Sequence, residues 1–247
     1  MSDKFNFSRK LFHISGIIVI AVFFLDALDN IGIDIFVDNT RSFIFLMLLL
    51  SIFVMYLVEF LRFRNDKIQE LFFKLVGGLL KSHEKEKVHG SVPFFIGMAI
   101  AFGFFPKQIA VLSIIFLITG DPSAAYFGGK YGKRRFKNGK SVIGTASGIA
   151  ACFLVGVIFL IINGMIFPDS HYVLTQNGNL QYSMLIMLLA GSTVAMVSEL
   201  FSSHGFFDDN LLIPVLSGLF MIFFMFLIKD LNFNDLVFPL SKLIIPK

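Results

Sequence analysis

Apolar residues in this chain come in long blocks, and polar residues are largely confined to the gaps between them. The blocks run roughly over 11–28, 42–61, 90–105, 108–128, 142–167, 183–200 and 211–229. A helix rises about 1.5 Å per residue, so a block of about 20 residues crosses a hydrocarbon core about 30 Å thick. Lipid-facing helices blur the 3.6-residue period, which makes run length the signal. The pattern predicts an all-α fold: a polytopic membrane helix bundle with about seven transmembrane helices. The third block is short, running from Val92 to Phe105 before Pro106 and Lys107 turn the chain. The third and fourth blocks are therefore the weak ones, and a tilted or shallow hairpin is the alternative to two full crossings.

One interval has a different pattern. Between Arg62 and Lys87, the apolar residues Ile68, Leu71, Phe72, Leu75, Val76, Leu79 and Leu80 recur at spacings of three and four. That is the mark of a helix apolar along one face. An interfacial amphipathic helix is predicted near 66–81, its Lys67, Lys74 and Lys81 meeting anionic headgroups.

Composition supports a bilayer as the main solvent: of 247 residues, 56% are hydrophobic and only 15% are charged, against about 25% charged in soluble domains. No repeat or linker divides the chain, so 1–247 is expected to form a single membrane-embedded domain. With the N-terminus placed in the cytoplasm, sixteen of the 21 Lys and Arg fall on that side, as basic residues flanking membrane helices do. Lys4, Arg9 and Lys10 ahead of Ile14 to Leu25 imitate a secretory signal, but Asp26-Ala27-Leu28-Asp29 follows instead of a small-residue cleavage site, so the segment is expected to be retained. Cys152 is the single cysteine, which excludes an intrachain disulfide and argues against a thiolate zinc site. No nucleic-acid partner is expected.

The densest chemistry lies in Gly120-Asp121-Pro122 through Lys133 and on to Asn138-Gly139-Lys140-Ser141-Val142-Ile143-Gly144-Thr145. A carboxylate at membrane depth is costly unless paired, metal-bound or lining a wet cavity, which makes Asp121 a functional candidate. Asp121, Ala125, Gly128 and Gly132 share one helical face, where small side chains admit either a neighbouring helix or a ligand. That face leads into Lys130, Lys133, Arg134, Arg135, Lys137 and Lys140, interleaved with glycines. Freed backbone N–H groups and ammonium groups make a cradle for a polyphosphate, with a carboxylate nearby for magnesium. It is not a Walker A loop: Arg134 stands where that motif needs its first glycine. Asp230 to Asp235 begins like a calcium loop but lacks its glycine and closing glutamate, and reads as a polar connector.

Two further clusters belong to the same side. Ser198-Glu199, Ser202, Ser203, His204 and Asp208-Asp209-Asn210 contain carboxylates and no Lys or Arg. They are candidates for a second magnesium or for accepting a proton from a hydroxyl, with helix capping by Asp209 or Asn210 as the plain alternative. At the N-terminus Arg9, His13 and Gly16 fall on one helical face, where His13 is expected to bind phosphate, relay a proton or satisfy a neighbouring helix. His89-Gly90-Ser91 adds polar groups at the start of the third block.

Taken together, Arg-Lys-x-x-His-x-x-Gly at 9–16, Gly-Asp-x-x-Ala-x-x-x-Gly at 120–128, Gly-Lys-Ser-x-x-Gly-Thr at 139–145, and Glu199 with Asp208-Asp209-Asn210-Leu211 resemble the CTP-dependent lipid-alcohol kinases. This superfamily comprises dolichol kinase, phytol kinase and the CTP-dependent diacylglycerol kinases. The resemblance implies CTP as phosphate donor, Mg2+ as cofactor, and a membrane lipid alcohol as acceptor, whether polyprenol or dolichol-like, diacylglycerol or phytol. It implies catalytic roles for Asp121, Glu199, Asp209, Lys140 and His13, with Asp121, Glu199 and Asp209 also holding the metal. Donor contacts are expected from Arg9, Gly128, Lys130, Gly132, Lys133, Gly139, Lys140, Ser141, Gly144, Thr145 and Asn210. The expected location is a prokaryotic plasma membrane with the site on its cytoplasmic face. The rival readings are a phosphatidate cytidylyltransferase, which would release pyrophosphate, and a small transporter.

Overall fold

The computed structural model describes residues 7–32, 35–76, 90–202 and 207–229, with side chains from residue 16 onward except those of 75, 76 and 229. The chain forms α1 (Phe7–Phe24), the short α2 (Ala27–Asn30), α3 (Asn39–Arg62), α4 (Asp66–Val76), α5 (Ser91–Phe104), α6 (Lys107–Tyr131) and α7 (Val142–Ile166). A two-residue antiparallel ladder, β1 (Thr175–Gln176) and β2 (Asn179–Leu180), precedes α8 (Tyr182–Ser198), a 3-10 turn over Glu199–Phe201, and α9 (Asp209–Lys229). Every predicted block is helical, but the first is interrupted at Leu25 and Asp26, where α1 gives way to α2, and the sixth finishes in the 3-10 turn. Among the described residues, α3, α6, α7, α8 with its 3-10 turn, and α9 are long and apolar enough to cross a membrane.

The two weak blocks part company. α5 has 14 residues, whereas α6 has 25 and runs straight through Pro122. α6 is also the central helix, touching α1, α5, α7, α8 and α9. Its Ile109, Leu112, Phe116 and Leu117 are wholly buried in the core with Phe23, Phe102, Leu160, Met187 and Met221. α3 is the opposite case: 22% of its apolar window is buried against 61% for α6, so most of α3 faces lipid.

The end of the bundle away from α4 is held by charge and capping. Asp38 is the N-cap of α3, accepting from Arg41 N at 2.9 Å. The buried Arg41 guanidinium reaches across to α5 and donates to the carbonyls of Phe102 (2.8 Å) and Phe105 (2.9 Å). It thereby satisfies C-terminal carbonyls that a helix leaves without intrahelical partners. Asp29 accepts from the backbone N–H groups of Asn39 (3.1 Å) and Thr40 (2.9 Å) and from both of their side chains, an anion placed where the helix dipole favours one. Lys107 pairs with Asp26. The β1–β2 ladder turns at Asn177-Gly178, both with positive φ, the pair that two-residue hairpins favour and a signal available in the sequence.

At the opposite end the buried Arg62 donates to Glu59 at 2.8 Å and lies over the rings of Phe63 and Phe72 at 4.3 and 4.7 Å. It ties α4 to α3. α4 covers 66–76 of the predicted amphipathic helix, and its remainder, 77–81, lies outside the described residues.

Burial alone would raise the Asp29 carboxyl, but its four hydrogen bonds prevail and hold it at about 2 instead of 3.8. Because the folded value lies below the unfolded one, the stabilisation is fully present above about pH 4 and disappears as pH falls towards 2. Asp29→Ala is expected to lower the unfolding free energy by about 1–2 kcal/mol at neutral pH and to weaken that acid dependence. Unfolding in detergent micelles at pH 7, 4 and 2.5 measures both.

Candidate functional site

The site is built where three helices approach closely. On α6 and α7 the glycines face each other: a Cβ on Gly128 would lie 3.2 Å from the Gly144 Cα, and one on Gly144 would lie 2.7 Å from the Ala124 carbonyl oxygen. The two backbones therefore touch, as small-residue faces allow. α8 joins through the buried Met196, whose side chain occupies the notch above Gly120 and Gly148. Met196 is three residues before Glu199, so this packing also fixes how deep Glu199 sits.

Between α6 and α7 the chain makes a tight hairpin. Phe136 N donates to Lys140 O (2.8 Å), Gly139 N to Phe136 O (2.9 Å) and Val142 N to Arg134 O (3.1 Å). Gly139 has φ 83°, a left-handed conformation that glycine adopts without a Cβ clash. Ser141 then caps α7, accepting from Gly144 N at 3.2 Å. The hairpin returns Lys140 to the bundle instead of leaving it in solvent.

There the Lys140 Nζ donates to Glu199 Oε1 at 2.6 Å and lies 3.6 Å from Asp209 Oδ2. Asp121 completes the group: it, Glu199 and Asp209 each offer an oxygen within 4.8 Å of the others. Four residues from four separate parts of the chain thus converge: the α6 interior, the hairpin, the end of α8 and the first turn of α9. Glu199 is buried and Lys140 partly so. Burial would lower the Lys140 pKa, but the Glu199 and Asp209 carboxylates outweigh it and hold the ammonium above its ordinary value. It stays charged throughout the neutral range. Three carboxylates at this spacing are the hard oxygen donors that magnesium takes, and any of them not engaged with a metal is a proton acceptor.

The remaining sequence candidates have structural contacts of their own. The glycine stripe packs helices: the sides of Gly128 and Gly144 where a Cβ would stand are closed by each other's helix, and that of Gly132 by Ser141. Thr145 donates its hydroxyl back to the Ser141 carbonyl at 3.2 Å. Asn210 is buried, with its amide on Asp208 and on Gly90 O at 3.3 Å, tying α9 to the start of α5. The cap of α9 is Asp208, accepting from Asn210 N at 3.0 Å, where Asp209 or Asn210 was expected. Lys130 lies over the Tyr126 and Tyr131 rings at 5.8 and 5.2 Å. Lys133 and Gly139 are exposed on the hairpin. The side chains of Arg9 and His13, and all of Ser203, His204 and His89, lie outside the described residues. Met196 and Asn138, whose amide donates to Leu200 O at 2.6 Å, were not singled out by sequence; the Asn138-Gly139 turn pair was the available signal for the hairpin.

No protein-family model and no solved structure matches the chain. Among curated proteins it is similar to the CTP-dependent diacylglycerol kinase of Saccharomyces cerevisiae, at 30% identity over 182 residues covering 70% of this chain and 61% of that one. The kinase of the same name from Eremothecium gossypii is 28% identical over 228 residues, 88% of this chain and 67% of that one. An uncharacterised protein of Rickettsia prowazekii is 28% identical over 219 residues, 87% of this chain and 93% of that one. The chain thus spans about three fifths of the length of the Saccharomyces relative.

The packing contact on α7 and an open glycine on the facing helix α6 can be separated by mutation. Gly144→Ala is expected to destabilise the bundle by about 1–3 kcal/mol, since its methyl meets backbone. Gly129→Ala meets nothing within 4 Å and is expected to be neutral or stabilising by up to about 1 kcal/mol. Thermal unfolding of both variants in one detergent checks the pair.

Proposed function

The chain belongs to the superfamily of CTP-dependent lipid kinases, and from that premise we propose that it transfers the γ-phosphate of CTP to the hydroxyl of a membrane lipid alcohol, with diacylglycerol as acceptor. The observation that carries this reading is the convergence of Lys140 with Asp121, Glu199 and Asp209 at one end of the bundle. A site at the end of the helices suits an acceptor whose hydroxyl lies at the membrane interface while its chains remain in lipid. We assign the site to the cytoplasmic face of a prokaryotic plasma membrane, where the positive-inside distribution puts the basic hairpin.

Lys140, together with the exposed Lys133 and Lys130 of the adjoining segment, receives the donor phosphates. Asp121, Glu199 and Asp209 are the residues that would hold Mg2+. Magnesium bound there would neutralise charge on the phosphates of donor and transition state. Glu199 or Asp209 takes the proton of the acceptor hydroxyl as its oxygen bonds to the γ-phosphorus. The bond from that phosphorus to the β-phosphate oxygen breaks, and CDP leaves. Most of the acceleration comes from positioning and charge neutralisation.

The two fungal relatives are named as kinases, and the cytidylyltransferase alternative is not favoured. A transport path would require polar groups along the bundle, whereas these four side chains meet at one end.

Purified protein supplied with γ-labelled CTP, magnesium and diacylglycerol in mixed micelles is expected to label the lipid, with little label from ATP and none after chelation. Asp121→Asn is expected to lower the rate at least about 100-fold, within the range for losing a positioned charged group, while the protein still elutes as a folded species. A folded protein that labels neither diacylglycerol, polyprenol nor phytol, but releases pyrophosphate from CTP and phosphatidate, overturns the proposal.

A further inference from the structure

Asn138 stands in the hairpin between α6 and α7, exposed to solvent and outside the residues assigned so far. Its carboxamide works in two directions. The Oδ1 accepts from Lys140 N at 3.1 Å, the local bond by which asparagine side chains shape turns. The Nδ2 donates to the Leu200 carbonyl at 2.6 Å, 62 residues further along the chain. Leu200 directly follows Glu199. One amide plane therefore spans the backbone beside both members of the Lys140–Glu199 ion pair.

Two polar links join the hairpin to the end of α8, one ionic (Lys140 to Glu199) and one neutral (Asn138 to Leu200). They differ in what happens when a polyphosphate arrives. Phosphate oxygens compete with a carboxylate for an ammonium group, so the ionic link is the one that exchanges. The neutral link is indifferent to that exchange. A lysine side chain is long and flexible, so with its backbone fixed the ammonium can swing from one partner to another without the loop lifting away.

We propose that Asn138 is a positioning residue for phosphoryl transfer: by bridging Lys140 N to Leu200 O it keeps Lys140 within reach of the carboxylate cluster while the ammonium passes from Glu199 to the donor phosphate. The function assigned to Lys140 rests on the kinase reading above; the bridging geometry does not. The hairpin has its own internal bonds, from Phe136 N to Lys140 O and from Val142 N to Arg134 O, so removing the Asn138 side chain takes away the neutral tie to α8 without unfolding the hairpin and leaves the ionic one as the remaining hold.

The test uses the full chain in detergent as wild type, Asn138→Ala, Asn138→Asp, Lys140→Met and the Asn138→Ala/Lys140→Met double variant. The first readout is independent of catalysis: the rate of reductive methylation of Lys140, followed by mass spectrometry against Lys133 and Lys137 as internal references. Both Asn138 variants are expected to raise the Lys140 rate about threefold to tenfold, as loss of one hydrogen bond allows, with the references unchanged. Aspartate does not rescue, because it accepts from Lys140 N but offers no donor to Leu200 O. The second readout is kcat/KM for CTP. Asn138→Ala is expected to lower it about threefold to tenfold in the wild type and not at all in the Lys140→Met background. Unchanged methylation of Lys140, or an equal loss in both backgrounds, overturns the proposal. If wild-type protein transfers no phosphate, the kinase reading fails separately, and methylation alone decides whether Asn138 holds Lys140.

Discussion

A carboxylate below the membrane surface must find its compensation inside the protein, because no bulk water is there to supply it. The bond from Lys140 to the buried Glu199 meets that requirement, and much of the surrounding architecture keeps it in place. Lys140 belongs to a loop that would otherwise reach into water. The hairpin bonds, the left-handed Gly139 and the Ser141 cap turn it back onto the bundle. Glu199 has its depth set by Met196 in the glycine notch, and Asp209 is delivered by a helix that Asp208 caps. Removal of either member of the Lys140–Glu199 pair leaves one charge without that partner, the circumstance in which a buried ion pair becomes costly.

The helices were legible because the bilayer imposes a length, and each of the predicted apolar blocks is helical. The site was legible in part for the same reason. Asp121 and Glu199 stand out in sequence because charged residues are expensive in an apolar stretch, and expensive residues need a reason. Lys140 and Asp209 were nominated by neighbouring motifs, but that they meet was not readable: residues 140, 199 and 209 belong to elements whose contacts depend on how α7, α8 and α9 pack. The fourth block, weak by its sequence, is one of the longest helices in the bundle. Gly120, Pro122 and Gly128 lower intrinsic helix propensity, yet packing on five neighbouring helices carries α6 through them.

Glycine was the least transparent residue type. Gly128 and Gly144 carry the same one-letter signal whether they admit a phosphate or a second backbone, and only the position of the neighbouring helix decides between the two. Here the backbone of α7 takes the space. The glycines serve the charged cluster indirectly: they bring α6 close enough to the start of α7 for Asp121 and Lys140 to belong to one neighbourhood. Asparagine misleads in the same way. Asn210 looks like a polar ligand and is a tie between α5 and α9, while Asn138 looks like an ordinary turn residue and reaches to the end of α8.

The Arg41 cap has a mechanical consequence for how the protein sits in its bilayer. α5, with 14 residues, is about 21 Å long, whereas the adjacent α3, with 24 residues, is about 36 Å. Arg41, in the first turn of α3, ties the C-terminal end of α5 level with it, so the shorter helix stops well inside the height of its neighbour at the other end. Most of α5 is buried in protein, so lipid meets the taller, exposed face of α3. Hydrophobic mismatch is therefore felt by the outer wall, which adapts by tilting or by deforming the surrounding lipid, while α5, tied to α9 beside the carboxylates, is insulated from the thickness of the membrane around it.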